Sequence, residues 1–316
     1  MKTLVTGGAG FIGTHLVRRL LNDGYEVICV DNFTLGHQEN VDCFNSNPSY
    51  KFYNIDIADT EKFCDALKDE KIDIVYHLAA NSDIQKGGRE PSVDFNDTFL
   101  TTRSVLELMR RCNIKNLFFS STSAIYGDEN NKPMTEDLGG LQPISYYGGA
   151  KFASEAFISS YTHMNDLHVM VFRFPNVIGP NLTHGVIFDF INKLKNNPKE
   201  LVILGDGTQT KPYVYVLDLI DGIMLMTKDI KEGMNVYNIG VNTATSVKTI
   251  ADIVCEELGY KDVEYKFTGG NIGWKGDVPK FQFDLTKIHA AGWSSRRTSD
   301  DAVRDTVKSI RDNETV

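Results

Sequence analysis

Tyr147 and Lys151 stand four residues apart in Y-G-G-A-K, inside an amphipathic run from Tyr147 to about Met164. On a helix that spacing puts both side chains on one face, about 5–6 Å apart at Cβ. A phenol titrates near pH 10, so acting as a base near neutrality needs about 3 units of help. A neighbouring ammonium supplies part of that help, and a positively charged ring bound nearby supplies more. The hydroxyl of Thr122, at the end of the apolar run L-F-F-S-S-T, is placed to orient a substrate oxygen. The chemistry this trio supports is proton transfer to and from an alcohol.

A second constellation lies at the N-terminus, where T-G-G-A-G-F-I-G follows the apolar pair Leu4-Val5 and opens a helical stretch to about Asp23. A tight strand-to-helix turn needs a residue free to take positive φ, which Gly7 supplies. Gly10 lets a dinucleotide pyrophosphate approach the backbone, and Gly13 lets the helix pack on its strand. Phe11 and Ile12 begin that helix, whose N–H groups and dipole favour phosphate. Asp31 ends the next apolar run, Val27 to Val30, and is followed by Asn32. An acid there accepts from ribose hydroxyls and repels a 2′-phosphate, so NAD is expected rather than NADP.

The elements that must position these groups alternate along the first half. Strands are predicted at 52–55, 72–78 and 117–119, and helices at 59–69 and 91–112. This alternation gives an α/β fold with a parallel doubly wound sheet. Ligands then bind at the carboxyl ends of the strands. That rule singles out Asp56-Ile57, Ala79-Ala80-Asn81 and Ser120-Ser121-Thr122, with Asp56 a candidate acceptor for an adenine amino group. In the second half, helices are predicted at 185–197, 246–258, 284–291 and 299–311. Segments 213–216 and 235–239 are expected to return to the sheet.

With 316 residues, 41% hydrophobic and 24% charged, the chain suits one large domain or two interlocked ones. A net charge of −9 argues against nucleic acid as a partner. The five cysteines (29, 43, 64, 112, 255) are odd in number and lack a CxxC pair, which suits reduced thiols and points to no metal site. No run approaches the roughly 18 apolar residues of a membrane span, and the sequence enters a strand without a signal peptide. The expectation is a cytoplasmic protein with no membrane association.

The glycine motif and Asp31, H-L-A-A at 77–80, S-S-T-S-A-I-Y-G at 120–127, Y-G-G-A-K at 147–151 and R-F-P-N-V-I-G-P at 173–180 resemble the extended short-chain dehydrogenase/reductases. Within that family they are most similar to nucleotide-sugar 4-epimerases of UDP-glucose 4-epimerase type, and G-D-G-T-Q-T-K at 205–211 extends the likeness. The resemblance implies a Rossmann-like NAD-binding domain, 1–174 plus about 213–242. A smaller interleaved substrate lobe is implied at about 175–212 and 243–316. It implies Tyr147 as base and acid, Lys151 on the nicotinamide ribose, and Thr122 with Ser123 towards the sugar. Leu78, Ala79, Ala80, Ile57, Asn96 and Pro175 would line the cofactor, and Asn176 the diphosphate. Asp218 is read as structural.

Two departures bear on the substrate. Lys211 and Trp274 stand where relatives carry arginines, so a bidentate diphosphate clamp is replaced by Lys211 with Lys275 or Lys193, and Trp274 is free to stack on a base or sugar. The nucleotide base therefore stays open. Ser123-Ala124 follow Thr122 where 4,6-dehydratases carry an Asp-Glu pair. Three functions are carried forward: a 4-epimerase, a 4-dehydrogenase or 4-ketoreductase using the same residues, and a non-catalytic NAD-binding regulator. A homodimer is expected from a second apolar stripe formed by Val105, Leu108 and Met109 with Phe152, Phe157 and Tyr161.

Overall fold

The computed structural model describes residues 1–128, 133–270, 278 and 280–314. Two compact units are distinguished. The first comprises residues 1–127, 139–173 and 223–237, and the second 128–138, 174–222 and 238–316. The returning segment of the first unit is thus shorter than the expected 213–242, and 128–138 groups with the second.

The first unit is built on a seven-stranded sheet. Its strands are β1 (Lys2–Thr6), β2 (Glu26–Asp31), β3 (Tyr50–Asn54), β4 (Ile74–His77), β5 (Asn116–Thr122), β6 (His168–Phe174) and β7 (Gly233–Asn238). The order is β7-β6-β5-β4-β1-β2-β3, which reverses direction between β1 and β4. This is the doubly wound order whose switch point forms a ligand crevice at the strand ends. Register is parallel, with Val5 beside both Cys29 and Tyr76. Central strands read as continuous apolar runs because helices cover both faces; Leu4, Val5, Val75, Leu117 and Phe119 are fully buried.

Local signals set the helix ends. Helix α1 (Phe11–Asn22) starts at Gly10 with no side-chain cap and buries Leu16, Val17 and Leu20. Helix α2 (Thr60–Leu67) is capped by Asp59, whose side chain accepts from Lys62 N. The stretch expected as one helix over 91–112 is broken. A short α-turn, Pro91–Asp94, passes into a π-helical segment, Phe95–Leu100, before helix α3 (Thr101–Cys112). Hydroxyls account for the break: Thr101 and Thr102 both donate to Thr98 O at 2.9 Å, competing with the backbone ladder. Helix α4 (Tyr146–Asn165) is capped by Ser145, which accepts from Gly148 N at 3.1 Å.

Val105, Leu108 and Met109 do not form a second stripe. All three are fully buried in the core of the first unit, and Tyr161 packs against that core. A helix crossing a sheet and flanked by other helices buries more than one face, which periodicity alone underestimates. The exposed large apolar side chains on these elements include Phe95, Tyr146, Phe152, Phe157 and Met164.

The second unit holds helices α5 (Val186–Asn196), α6 (Val247–Leu258) and α7 (Ser299–Glu314) with short paired strands. Tyr213–Tyr215 pairs in parallel with Asn176–Ile178 in a separate two-stranded sheet. The expected return of 213–216 to the main sheet is therefore corrected, because three residues find their backbone partners within the second unit. Asp218 is buried and accepts from Arg297 Nη1 at 2.7 Å and from Arg296 N at 3.1 Å, a structural anchor.

Candidate active site

The glycine turn after β1 is shaped by steric necessity. Gly7 has φ +73°, and a Cβ there would stand 2.7 Å from Ala79 N on the loop after β4. A Cβ on Gly13 would collide with Gly7 O, so the helix meets the turn only because Gly13 has no side chain. Gly8, which the motif reading left without a role, is pressed against Cys29 Sγ in the same way. The uncapped start of α1 leaves its positive end for an anion. Asp31 is buried, and its carboxylate accepts from Ala9 N at 3.0 Å and Phe33 N at 2.9 Å. Burial raises its pKa while those N–H groups lower it. This cradle fits a dinucleotide: bare backbone for the pyrophosphate, and a fixed carboxylate at the end of the adjacent strand for the ribose.

The other residues expected to line the cofactor vary in exposure. Leu78, Ala79 and Ala80 are half-buried after β4, as are Phe11 and Ile12 in the first turn of α1. Asp56 is exposed and accepts from Ala58 N at 2.9 Å, forming a turn before the buried Ile57. Asn32 is exposed and likewise closes a local turn on Thr34 N. Asn96 lies exposed on the π-helical segment, whereas its neighbour Thr98 is fully buried and accepts from Asn81 N at 3.1 Å.

At the end of β5 three consecutive residues meet α4. Thr122 hydrogen-bonds the Tyr147 hydroxyl, and Lys151 Nζ donates to Ser120 O at 2.6 Å. Ser121 Oγ donates to Glu155 Oε1. The close approach depends on Gly148, where a Cβ would lie 2.5 Å from Ala124 O. Burial holds the Tyr147 phenol up at about 12, opposed by the Thr122 hydrogen bond and reinforced by the charge of Asp94. Burial likewise pulls the Lys151 ammonium down to about 7, and the Glu155 charge opposes this. Without a ligand the pair is thus a neutral phenol beside an ammonium close to losing its proton. The help that Tyr147 needs must come from charge bound in the site.

Buried polar groups that the sequence did not single out hold this corner. Imidazole nitrogens of His77 bond Thr6 Oγ1 at 2.7 Å and Thr102 Oγ1 at 3.0 Å, tying β1, β4 and α3 together. Burial, with Lys151 nearby, lowers its pKa to about 3, so the ring stays neutral. Arg173, on β6, donates to Glu155 through Nε at 3.1 Å and Nη2 at 2.7 Å, and through Nη1 to Tyr126 OH at 2.8 Å. The only signal for these roles was the residue type inside a motif.

Pro175, Asn176 and Lys211 belong to the second unit. Pro175 is buried, Asn176 is half-buried in register with Tyr213, and Lys211 is half-buried in register with Thr245. Ser123, half-buried, opens the turn after Thr122. Trp274 and Lys275 lie outside the described residues. Among the described residues, no three His, Cys, Asp or Glu side chains converge to hold a metal, and no helix is long and apolar enough to cross a membrane.

The doubly wound sheet, the glycine cradle and the Tyr-Lys pair behind a Ser-Ser-Thr strand end define an NAD-dependent enzyme of the short-chain dehydrogenase/reductase type. Residues 3–240 match the NAD dependent epimerase/dehydratase family, and the chain belongs to it. It is 32% identical to a UDP-glucose 4-epimerase of Lactobacillus helveticus, over 96% of this chain and 94% of that protein. A UDP-glucose 4-epimerase of Thermotoga maritima, solved with UDP-glucose, superposes with a TM-score of 0.89 at 33% identity, covering 99% of this chain and 100% of the other. The dTDP-glucose 4,6-dehydratase DesIV of Streptomyces venezuelae, solved with NAD, gives a TM-score of 0.90 at 27% identity, covering 100% and 98%.

Proposed function

We propose that the chain is a nucleotide-sugar 4-epimerase acting on a UDP-hexose. Fold likeness does not separate epimerase from dehydratase, since the two solved relatives superpose equally well. The observation that carries the reading is local. The Thr122–Tyr147–Lys151 trio is intact, while Ser123 and Ala124 occupy the turn where elimination of water would need an acid and a base.

Bound NAD supplies reversible hydride acceptance at the sugar C4. Gly7, Gly10 and Gly13 hold its pyrophosphate, Asp31 its adenosine ribose, and Lys151 its nicotinamide ribose. Thr122 orients the C4 hydroxyl, and Tyr147 removes its proton and later returns it. Asn176 and Lys211 take the diphosphate. The enzyme is a cytoplasmic homodimer in this reading, its five thiols reduced and exposed Phe95, Phe152 and Phe157 covered by a second copy.

The test is mass spectrometry of small molecules released from denatured protein, with absorbance followed near 340 nm. Stoichiometric dinucleotide that stays unchanged while UDP-hexoses interconvert is the expected result. Accumulating NADH with a 4-keto product would move the assignment to a 4-dehydrogenase or 4-ketoreductase. Wild-type turnover in Tyr147→Phe would remove the catalytic assignment altogether.

A further inference from the structure

Lys151 sits in surroundings that do not favour an ammonium. It is 2% exposed, with the Ser120 carbonyl as its hydrogen-bond acceptor and the Phe119 ring 4.7 Å away. The charged or titratable groups around the pair are Glu155 on the same helix with Arg173 of β6 bound to it, His77 on β4, and Asp94, which acts on Tyr147. His77 is neutral, so Glu155 is the negative charge one helical turn from Lys151.

Glu155 is itself 4% exposed and fully engaged. Two Arg173 nitrogens bind its two oxygens, and Ser121 Oγ donates to Oε1. Arg173 is anchored in turn by Tyr126, donating to its hydroxyl and lying 5.1 Å from its ring centroid. Tyr126 ends the turn that begins directly after Thr122. One carboxylate therefore connects α4, the end of β5, β6 and the following turn.

We propose that Glu155, clamped by Arg173 and Ser121, is a positioning residue that fixes α4 against the Ser120–Thr122 strand end and sets a fixed negative charge one helical turn from Lys151. The inference rests on the roles proposed for Tyr147 and Lys151. A buried ion pair often contributes little net stability. Here the Glu155 carboxylate has a second consequence in the proposal, since its charge opposes the pull of burial on the Lys151 ammonium.

The test compares three variants with wild type. Glu155→Gln/Arg173→Met removes both charges and leaves neither unpaired, so the fold is expected to survive. Arg173→Lys keeps the Glu155 charge while losing the planar fork. Ser121→Ala removes one tether and leaves the ion pair intact. In cofactor-free protein carrying 13Cε-lysine, assigned by difference from Lys151→Met, the Lys151 titration midpoint should fall by about one pH unit in the double variant and stay put in Arg173→Lys. The alkaline limb of kcat/KM should move with it. Ser121→Ala should lower kcat several-fold at every pH with KM unchanged.

A folded double variant with the wild-type midpoint would overturn the proposal, as would a midpoint that drops equally in Arg173→Lys. Wild-type kcat in Ser121→Ala would overturn the positioning half, and that variant carries the test if the double variant does not fold. The titration is read without substrate, so it stands or fails separately from the epimerase assignment.

Discussion

Two corners on the carboxyl edge of one sheet are built in opposite ways. The turn after β1 is made of backbone: Gly7, Gly10 and Gly13 contribute by lacking side chains, and atoms of Gly7 and Ala79 occupy the space a Cβ would need. The corner after β5 is made of side chains: Thr122 meets Tyr147, Lys151 donates to Ser120 O, and Glu155 is held by Arg173 and Ser121. The first is rigid because nothing else fits. The second is held by mutual compensation, so its protonation states respond to whatever binds. A cofactor cradle can be indifferent to pH, whereas an acid-base pair must sit close to a change of state.

The corner after β5 is most sensitive at the reacting group. Tyr147→Phe should cut kcat by about 10²–10⁴-fold while leaving dinucleotide binding and the melting temperature near wild type. Equal losses in binding would mean that the hydroxyl is structural. At the glycine turn, Gly13→Ala should act through sterics, costing about 1–3 kcal/mol of stability and abolishing dinucleotide retention, as read by thermal melting and released-nucleotide assay. A stable variant that keeps its dinucleotide would show the helix free to move aside.

A smaller effect is expected at Asp31. Asp31→Ser should narrow the preference for NAD over NADP by about tenfold, seen in the ratio of their dissociation constants, because an acid that repels a 2′-phosphate is gone. The remaining effect is on stability rather than on binding or turnover. Lys151 has a pKa near 7 in the cofactor-free fold against 10.5 when unfolded. Between those values the unfolded chain binds more protons, so this residue's contribution to stability rises with pH. Wild type should therefore gain on Lys151→Met as pH goes from about 7 to 10, by at most about 1.4 kcal/mol per unit. A gap that is flat across that range would show that the ammonium is better solvated than its burial implies.

Most of what identifies this protein is carried by short-range signals. A glycine triplet after an apolar pair, an acid closing the next strand and a Tyr-Lys spacing of four each report a local requirement: a positive φ, an uncovered backbone, one helical face. Ser246 and Gly259, a cap and a stop, bound α6 for the same reason. The alternation of elements then follows, because parallel strands need crossovers.

Only the tertiary structure decided where partners come from at long range. Tyr213–Tyr215 found its partner in Asn176–Ile178, although its pattern suited the main sheet equally. Val105, Leu108 and Met109 went into the core because the helix that carries them is covered on more sides than its periodicity implied. The π-helical break at Phe95–Leu100 came from hydroxyls competing for carbonyls and set Thr98 against Asn81. Glu155 and Arg173 are 18 residues apart, and nothing local marks them as a pair. Chain geometry specifies a turn or a helix face, but the burial that makes a charge pair matter is a property of everything packed around it.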